Sequence, residues 1–165
     1  MDPTFLQVLT SLETAQVRFL VVGGVAVVLH GVLRMTVDLD LVIELQPDNL
    51  LPAIRALAAL GFSPRLPVAA TDLADAATRR AWIAERNLRV FTFWHPKSHR
   101  VVDVFVEEPF NFDAAWSRRV DVDIHPTVVH VAAIEDLVSM KRAAGRAKDL
   151  ADIDALMALE EEDGE

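Results

Sequence analysis

No cysteine occurs anywhere in the 165 residues. That excludes a disulfide framework, a thiolate zinc site and a cysteine nucleophile, and it suits a reducing cytoplasm, where the protein is expected. No apolar run approaches the ~20 residues that a membrane span needs. The start, Met1-Asp2-Pro3, lacks the basic stretch and apolar run of a signal peptide. Repeats, low-complexity segments and interdomain linkers are missing too. Positive charge is scarce: 16 Lys and Arg stand against 25 Asp and Glu, a net charge of -9. Part of the excess lies in the tail from Glu160 to Glu165, expected as a solvated, frayed end. An acidic chain is a poor general binder of nucleic acid, so any RNA contact would need Arg79-Arg80, Arg118-Arg119 or Lys141-Arg142. What remains is a chain with 52% hydrophobic residues and a mean hydropathy of +0.27. It has the length and composition of one soluble folded domain with a proper core.

The pattern of apolar residues predicts mixed α/β structure. Phe5, Leu6, Leu9, Leu12 and Val17 recur at helical spacing, which predicts a helix over 3–16 with Pro3 in its first turn. Phe19 to Val22 read as a short apolar strand, Gly23-Gly24 as a turn, and 25–31 as a short helix ended by Gly31. Val37 to Leu45 alternate, with Val37, Leu39, Leu41, Ile43 and Leu45 on a core face and Asp38, Asp40, Val42 and Glu44 on an open one. A helix is expected from Pro47-Asp48 to Leu60, a loop over 63–70, and a helix capped by Thr71 running to about Glu85. Leu88–Trp94 and Arg100–Glu107 form a hairpin around His95–His99. A helical turn at Asp113–Arg118, short strands at Val120–Ile124 and Val128–Val131, and helices at Ala133–Ala144 and Ala147–Leu159 complete the chain. The architecture expected is a short mixed sheet flanked by helices, with a helical C-terminal third.

Three carboxylates carry the chemistry. Side chains two apart on a strand share a face, so Asp38 and Asp40 project together beside a glycine pair whose following helix start leaves N–H groups free for phosphate. Asp103 lies inside the apolar run Val101-Val102-Asp103-Val104-Phe105, where a charge is costly unless paired or metal-bound. Two-metal phosphoryl transfer uses about three carboxylates to hold two Mg²⁺ ions ~4 Å apart, and Asp38, Asp40 and Asp103 meet that count if their strands are neighbours. Singly, an Asp-x-Asp, a glycine pair or a strand aspartate is commonplace; together they are specific. The five histidines lack metal-ligand spacing: His30 packs or caps the short helix, and His95, His99, His125 and His130 are assigned to hairpin and loop surface. Trp82, Phe91, Phe93, Trp94 and Trp116 read as core or hairpin packing.

Gly23-Gly24, Asp38-x-Asp40 and Asp103 resemble the motif set of the DNA polymerase β-like nucleotidyltransferases. The fuller string Gly23-Gly24-x-Ala26, His30-Gly31, Arg34-x-Thr36-x-Asp38-Leu39-Asp40-Leu41 resembles their small bacterial branch that includes abortive-infection (type IV toxin–antitoxin) enzymes. Asp136-Leu137-x-x-x-Lys141 and Gly145-Arg146-x-Lys148-Asp149-x-x-Asp152-Ile153 are similar to that branch as well. The resemblance implies one nucleotidyltransferase-like domain over 1–165, with a core at about 17–107 and C-terminal helices at about 133–160. It also implies a nucleoside triphosphate held between sheet and C-terminal helices, with Mg²⁺ on Asp38, Asp40 and Asp103. Asp103 would sit at the attacking hydroxyl as ligand and proton acceptor. Gly23 and Gly24 take over the family's triphosphate contact. Arg34, Thr36, Lys141, Arg146 and Lys148 become candidate nucleotide contacts, with Arg34 either clamping phosphate or orienting Asp40, and Thr36 otherwise fixing the strand entry. Asp149 and Asp152 are expected to pair with these bases. The activity implied is transfer of a nucleoside monophosphate to an acceptor hydroxyl with release of pyrophosphate. The acceptor stays open between RNA or a tRNA end, a protein hydroxyl (with a cognate antitoxin as partner) and a small molecule such as an antibiotic. A non-catalytic nucleotide-binding partner in a toxin–antitoxin complex is the rival reading.

Overall fold

Strands β1 (Phe19–Val22) and β2 (Asp38–Ile43) run antiparallel at the middle of the molecule, in a register that sets Val22 opposite Asp40. They are the centre of a seven-stranded sheet in the computed structural model, which describes residues 1–163. β5 (Val101–Phe105) lies parallel to β2, and β4 (Val90–Trp94) and β3 (Ser63–Pro64) continue antiparallel to one edge. On the other side β7 (Thr127–Val131) runs parallel to β1, and β6 (Val120–Ile124) closes that edge antiparallel. β1 is an apolar run buried on both faces, while β2 and β5 bury alternate residues and leave Asp38, Asp40 and Asp103 half-buried on the other face. Phe19, Leu20, Val21, Leu39, Leu41, Val102 and Val104 are fully buried.

The helices supply the two covers. α1 (Pro3–Thr14) buries Phe5, Val8, Leu9 and Leu12 along one stripe and starts at Asp2, whose carboxylate accepts from the Thr4 N–H. It packs on α3 (Pro47–Ala59) and β7. α2 (Gly23–Leu29) follows β1 without a break. His30 closes it, its Nε2 reaching the Ala132 carbonyl at 2.8 Å, and Gly31 leaves at φ +112. α5 (Phe112–Ser117) is capped by Asn111. α6 (Ile134–Ala144) ends at Gly145 with φ +63, the left-handed cap that favours glycine, and α7 (Ala147–Asp163) folds back along it.

Several expectations need correction. No helix starts at Thr71: a 3₁₀ turn spans Ala70–Ala74, pinned by buried Leu73, and α4 (Ala76–Arg86) begins after Asp75. Asp75 is the better cap because its carboxylate accepts from both the N–H and the hydroxyl of Thr78. The 63–70 loop contains β3, an edge position that tolerates Pro64. Gly23 and Gly24 form the first turn of α2 rather than a separate turn before it. Val42 is buried, so the open face of β2 narrows to Asp38 and Asp40, while Val37, expected in the core, is 64% exposed. His130 is buried, not surface: its Nδ1 meets Asp121 Oδ1 at 2.7 Å and its Nε2 meets Glu13 Oε2 at 2.8 Å, beneath Trp116. The last helix continues past the expected end at Leu159 to Asp163; Gly164 and Glu165 lie outside the described residues.

Candidate active site

One row of paired residues crosses four strands: Val22 on β1, Asp40 on β2, Asp103 on β5 and Thr92 on β4. Directly paired neighbours point to the same face, so the register itself brings Asp40 and Asp103 side by side. Asp38, two residues earlier, joins them. The Thr92 hydroxyl lies 2.6 Å from Asp103 Oδ1 and fixes that carboxylate. Thr92 was not singled out by sequence; its signal was a hydroxyl among the apolar residues of Val90–Trp94, opposite the one charge of the partner strand.

Because Val22 pairs with Asp40, the next residue, Gly23, comes up beneath the Asp40 side chain. It has φ +65, and a Cβ there would lie 2.8 Å from Asp40 Cγ. Gly24 has the same relation to the segment before β2: a Cβ would lie 2.7 Å from Thr36 Oγ1 and 3.5 Å from Arg34 Cζ. The glycine pair is thus required by the close approach of side chains from the strand entry. Thr36 itself donates to the Asp38 carbonyl at 3.3 Å.

The cations come from the C-terminal helices. Lys141 is buried on α6, with Nζ 2.6 Å from Asp152 Oδ2 and 3.7 Å from Asp149 Oδ1 of α7. Arg34 reaches the same Asp152 oxygen, so it is held by α7 and does not orient Asp40. Arg146 wraps Asp149 through its Nε at 2.7 Å and its backbone N–H at 3.1 Å. Lys148 is exposed and in no ion pair among the described residues. All ten candidates border one cleft of ≈ 260 Å³: Asp38, Asp40, Asp103, Gly23, Gly24, Arg34, Thr36, Lys141, Arg146 and Lys148, with Asp149 and Asp152 beside them. A larger, shallower cleft of ≈ 670 Å³, bordered by Arg79, Arg80, Glu107 and Glu108, contains none of them.

Electrostatics mark the carboxylates out. Burial, then the charges of Asp103 and Asp38, push the Asp40 carboxyl up from 3.8 to about 6, against Lys141 and Lys148. Burial also raises Asp103, with Asp38 adding to it and the Thr92 hydroxyl and Arg65 opposing. Like charges crowded into low dielectric favour a proton or a cation between them. An all-oxygen carboxylate set suits Mg²⁺, so the chemistry of the donors fits that ion. Among the described residues, however, no three acidic or histidine side chains close into a metal-ligating group, so the trio adjoins without forming a finished chelate.

A mixed sheet with flanking helices, an Asp-x-Asp strand and a third aspartate on its parallel neighbour define a nucleotidyltransferase-like protein. The sequence matches the family of nucleotidyltransferases of unknown function (DUF6036) over residues 4–163, and the chain belongs to that family. Comparison with curated proteins finds no match. The fold is similar to that of the lincosamide antibiotic adenylyltransferase LnuA, solved with lincomycin bound: the TM-score is 0.63 at 14% identity, over 96% of this chain and 98% of that one. It is also similar to an antigenic nucleotidyltransferase-like protein from Paracoccidioides brasiliensis, with a TM-score of 0.56 at 17% identity, over 94% of this chain and 75% of that one. Among the described residues no helix is long and apolar enough to cross a membrane.

Proposed function

We propose that the cleft transfers a nucleoside monophosphate from a nucleoside triphosphate to an acceptor hydroxyl in an Mg²⁺-dependent reaction. The acceptor oxygen bonds to the α-phosphorus, the bond from that phosphorus to the bridging oxygen breaks, and pyrophosphate leaves. The observation that carries this reading is the pairing of Asp40 with Asp103 across parallel strands, directly over Gly23. Asp38, Asp40 and Asp103 are the residues that would hold Mg²⁺, which when bound neutralises charge developing on the phosphates. Asp103, with one oxygen held by Thr92, keeps its other oxygen for the acceptor proton, and its raised pKa suits a proton acceptor. Gly23 and Gly24 keep the floor of the cleft low enough for phosphates, Lys141, Arg146 and Lys148 supply positive charge along its α6–α7 wall, and Arg34 adds to it from the segment before β2. Incubation with labelled nucleoside triphosphates, Mg²⁺ and candidate acceptors should give nucleotidylated product. Asp40→Asn and Asp103→Asn should each lower the rate by about 10²-fold or more; full activity in either variant removes the mechanism.

The acceptor best supported is a small hydroxylated molecule. LnuA, solved with the small molecule lincomycin bound, has a similar fold over 96% of this chain and 98% of that one, which supports a small acceptor. A net charge of -9 also opposes RNA. The toxin-like reading, with an RNA or protein acceptor and a cognate antitoxin, is supported by the string Arg34-x-Thr36-x-Asp38-Leu39-Asp40 and by the Arg146–Asp149–Asp152 cluster. Growth arrest on induction, abolished by Asp38→Ala, would decide for it; harmless expression with raised drug tolerance would decide for the small acceptor.

A further inference from the structure

The cleft reaches Asp103 and no residue of β4 or β3 borders it, but the row of paired residues that built it runs on. β3 and β4 pair Ser63 with Trp94 and Pro64 with Phe93, and the Arg65 N–H donates to the Thr92 carbonyl at 2.9 Å, one residue past β3. Paired neighbours share a face, so the row continues from Asp40 through Asp103 and Thr92 to Arg65. The adjoining row on that face holds Asp38, Val101, Trp94 and Ser63. The opposite face of these strands is covered: Phe91, Phe93, Val102 and Val104 are buried, and Trp82 of α4 stacks on Phe91. On the Asp103 face, Val90, Trp94 and Val101 are only half-buried. The outer strands therefore carry an open shelf that begins at the third carboxylate and ends at Arg65.

Resting on the transfer reading above, we propose that this shelf seats the acceptor, a small alcohol that also carries an oxyanion, with Arg65 binding the oxyanion and Trp94 and Val101 flooring the carbon skeleton. In-line displacement puts the acceptor hydroxyl on the far side of the α-phosphorus from the leaving pyrophosphate. The cations Lys141, Arg146 and Lys148 assign the pyrophosphate to the α6–α7 wall, which leaves the side toward β4 and β3 for the acceptor. Arg65 is exposed and in no ion pair among the described residues. Asp103 does not neutralise it, because Thr92 holds that carboxylate by Oδ1. Arg65 stands two strands from Asp103, about 10 Å at strand spacing, so hydroxyl and oxyanion are held within about that distance. A lone guanidinium matches one carboxylate or phosphate through two parallel N–H bonds. A nucleic acid would need a line of cations, and the two rows hold no other.

The test is a nuclear magnetic resonance titration of the full chain, following the Trp94 indole and Arg65 side-chain N–H signals. The probes are 6-hydroxyhexanoate, 6-hydroxyhexyl phosphate, the neutral 1,6-hexanediol and the cationic 6-aminohexan-1-ol, each with and without Mg²⁺ and a non-hydrolysable nucleoside triphosphate. The two anions should shift both signals and bind about tenfold or more tighter than the diol; the tighter of the two identifies the oxyanion. Arg65→Gln should remove that preference, Arg65→Lys should restore part of it, and Arg65→Glu should turn it toward the amine. Lys97→Gln, at an exposed cation of the β4–β5 hairpin, should keep it. Anions that bind no tighter than the diol overturn the proposal, and so does a preference that survives Arg65→Gln. A single-stranded oligonucleotide that binds tighter than either anion, through Arg65, overturns the small acceptor. A wild-type chain that binds no triphosphate sinks the transfer reading instead, and the series without triphosphate still reads the preference at Arg65.

Discussion

Gly23 and Asp40 share a space that admits only one of them with a side chain. The strand register sets Val22 against Asp40, and the chain then turns under the carboxylate with φ +65 at Gly23. Gly23→Ala therefore meets a left-handed backbone and a carboxylate at once. We expect a loss of about 1–3 kcal/mol in stability together with loss of nucleotide binding, because Asp40 must move. Gly31→Ala is the control: it is strained by φ +112, but a Cβ there meets nothing within 4 Å. It should lower the thermal midpoint and leave nucleotide affinity unchanged. Calorimetry on both variants separates the two outcomes.

Asp40 makes the ligand-free protein less stable as pH rises. Its carboxyl is near 3.8 in the unfolded chain and about 6 when folded, so the folded state retains the proton longer. Below pH ~4 both states are protonated and the group costs nothing; the cost grows between about 4 and 6 and is complete above that, at up to ~3 kcal/mol. Asp40→Asn should therefore stabilise the metal-free protein at pH 7.5 and have little effect at pH 3.5. Denaturant midpoints at the two pH values give the difference. Added Mg²⁺ should raise the thermal midpoint of the wild type at pH 7.5 and that of Asp40→Asn much less.

The carboxylate trio was legible because its signal is local. An Asp-x-Asp alternation fixes a shared face whatever the sheet does, and an aspartate amid valines announces a buried charge. Strand order is not local: the pairing of β2 with β5 brings together residues more than sixty apart, and nothing in either run names its neighbour. The same limit hid Thr92, which matters only through its pairing with Asp103. It also hid His130, whose partners Glu13 and Asp121 arrive from α1 and β6. The start of α4 was misplaced for a different reason. Thr71 and Asp75 are both good caps, and the choice was made by Leu73, whose burial holds a 3₁₀ turn between them. Val37 continues the apolar alternation of β2, but it lies one residue beyond the strand pairing and so stays exposed.

Asp152 holds two cations with one oxygen, and both depend on it. Lys141 and Asp152 are each buried, and Arg34 is largely so. Asp152→Ala leaves the Arg34 guanidinium without its carboxylate and Lys141 with only Asp149, 3.7 Å away, and breaking a buried pair in this way costs about 3–5 kcal/mol. Urea unfolding should show most of that loss. Lys141→Met in the same background should recover part of it, because it removes the stranded charge. The comparison substitution is Glu135→Ala, an exposed partner of Arg118, which should change stability by less than ~0.5 kcal/mol.

Asp149 should set an acid limb of opposite sign to that of Asp40. Burial alone would raise its carboxyl, but the side-chain and backbone hydrogen bonds from Arg146, with the charges of Arg146 and Lys141, outweigh it and hold the group below 3.8. The folded state therefore gives up this proton more readily than the unfolded chain does. The contribution is complete above the unfolded value of about 4 and disappears as pH falls through the folded value. Asp149→Asn should flatten the fall in stability below pH 4 and lower stability at pH 7, where the wild-type carboxylate is charged and bonded. Because the Arg146 side chain is 62% exposed, Arg146→Gln should give a smaller loss at pH 7 than Asp149→Asn. Thermal midpoints measured from pH 3 to pH 8 for the three proteins check the order, and no loss in Arg146→Gln beside a full loss in Asp149→Asn would show that Lys141 rather than Arg146 holds Asp149 charged.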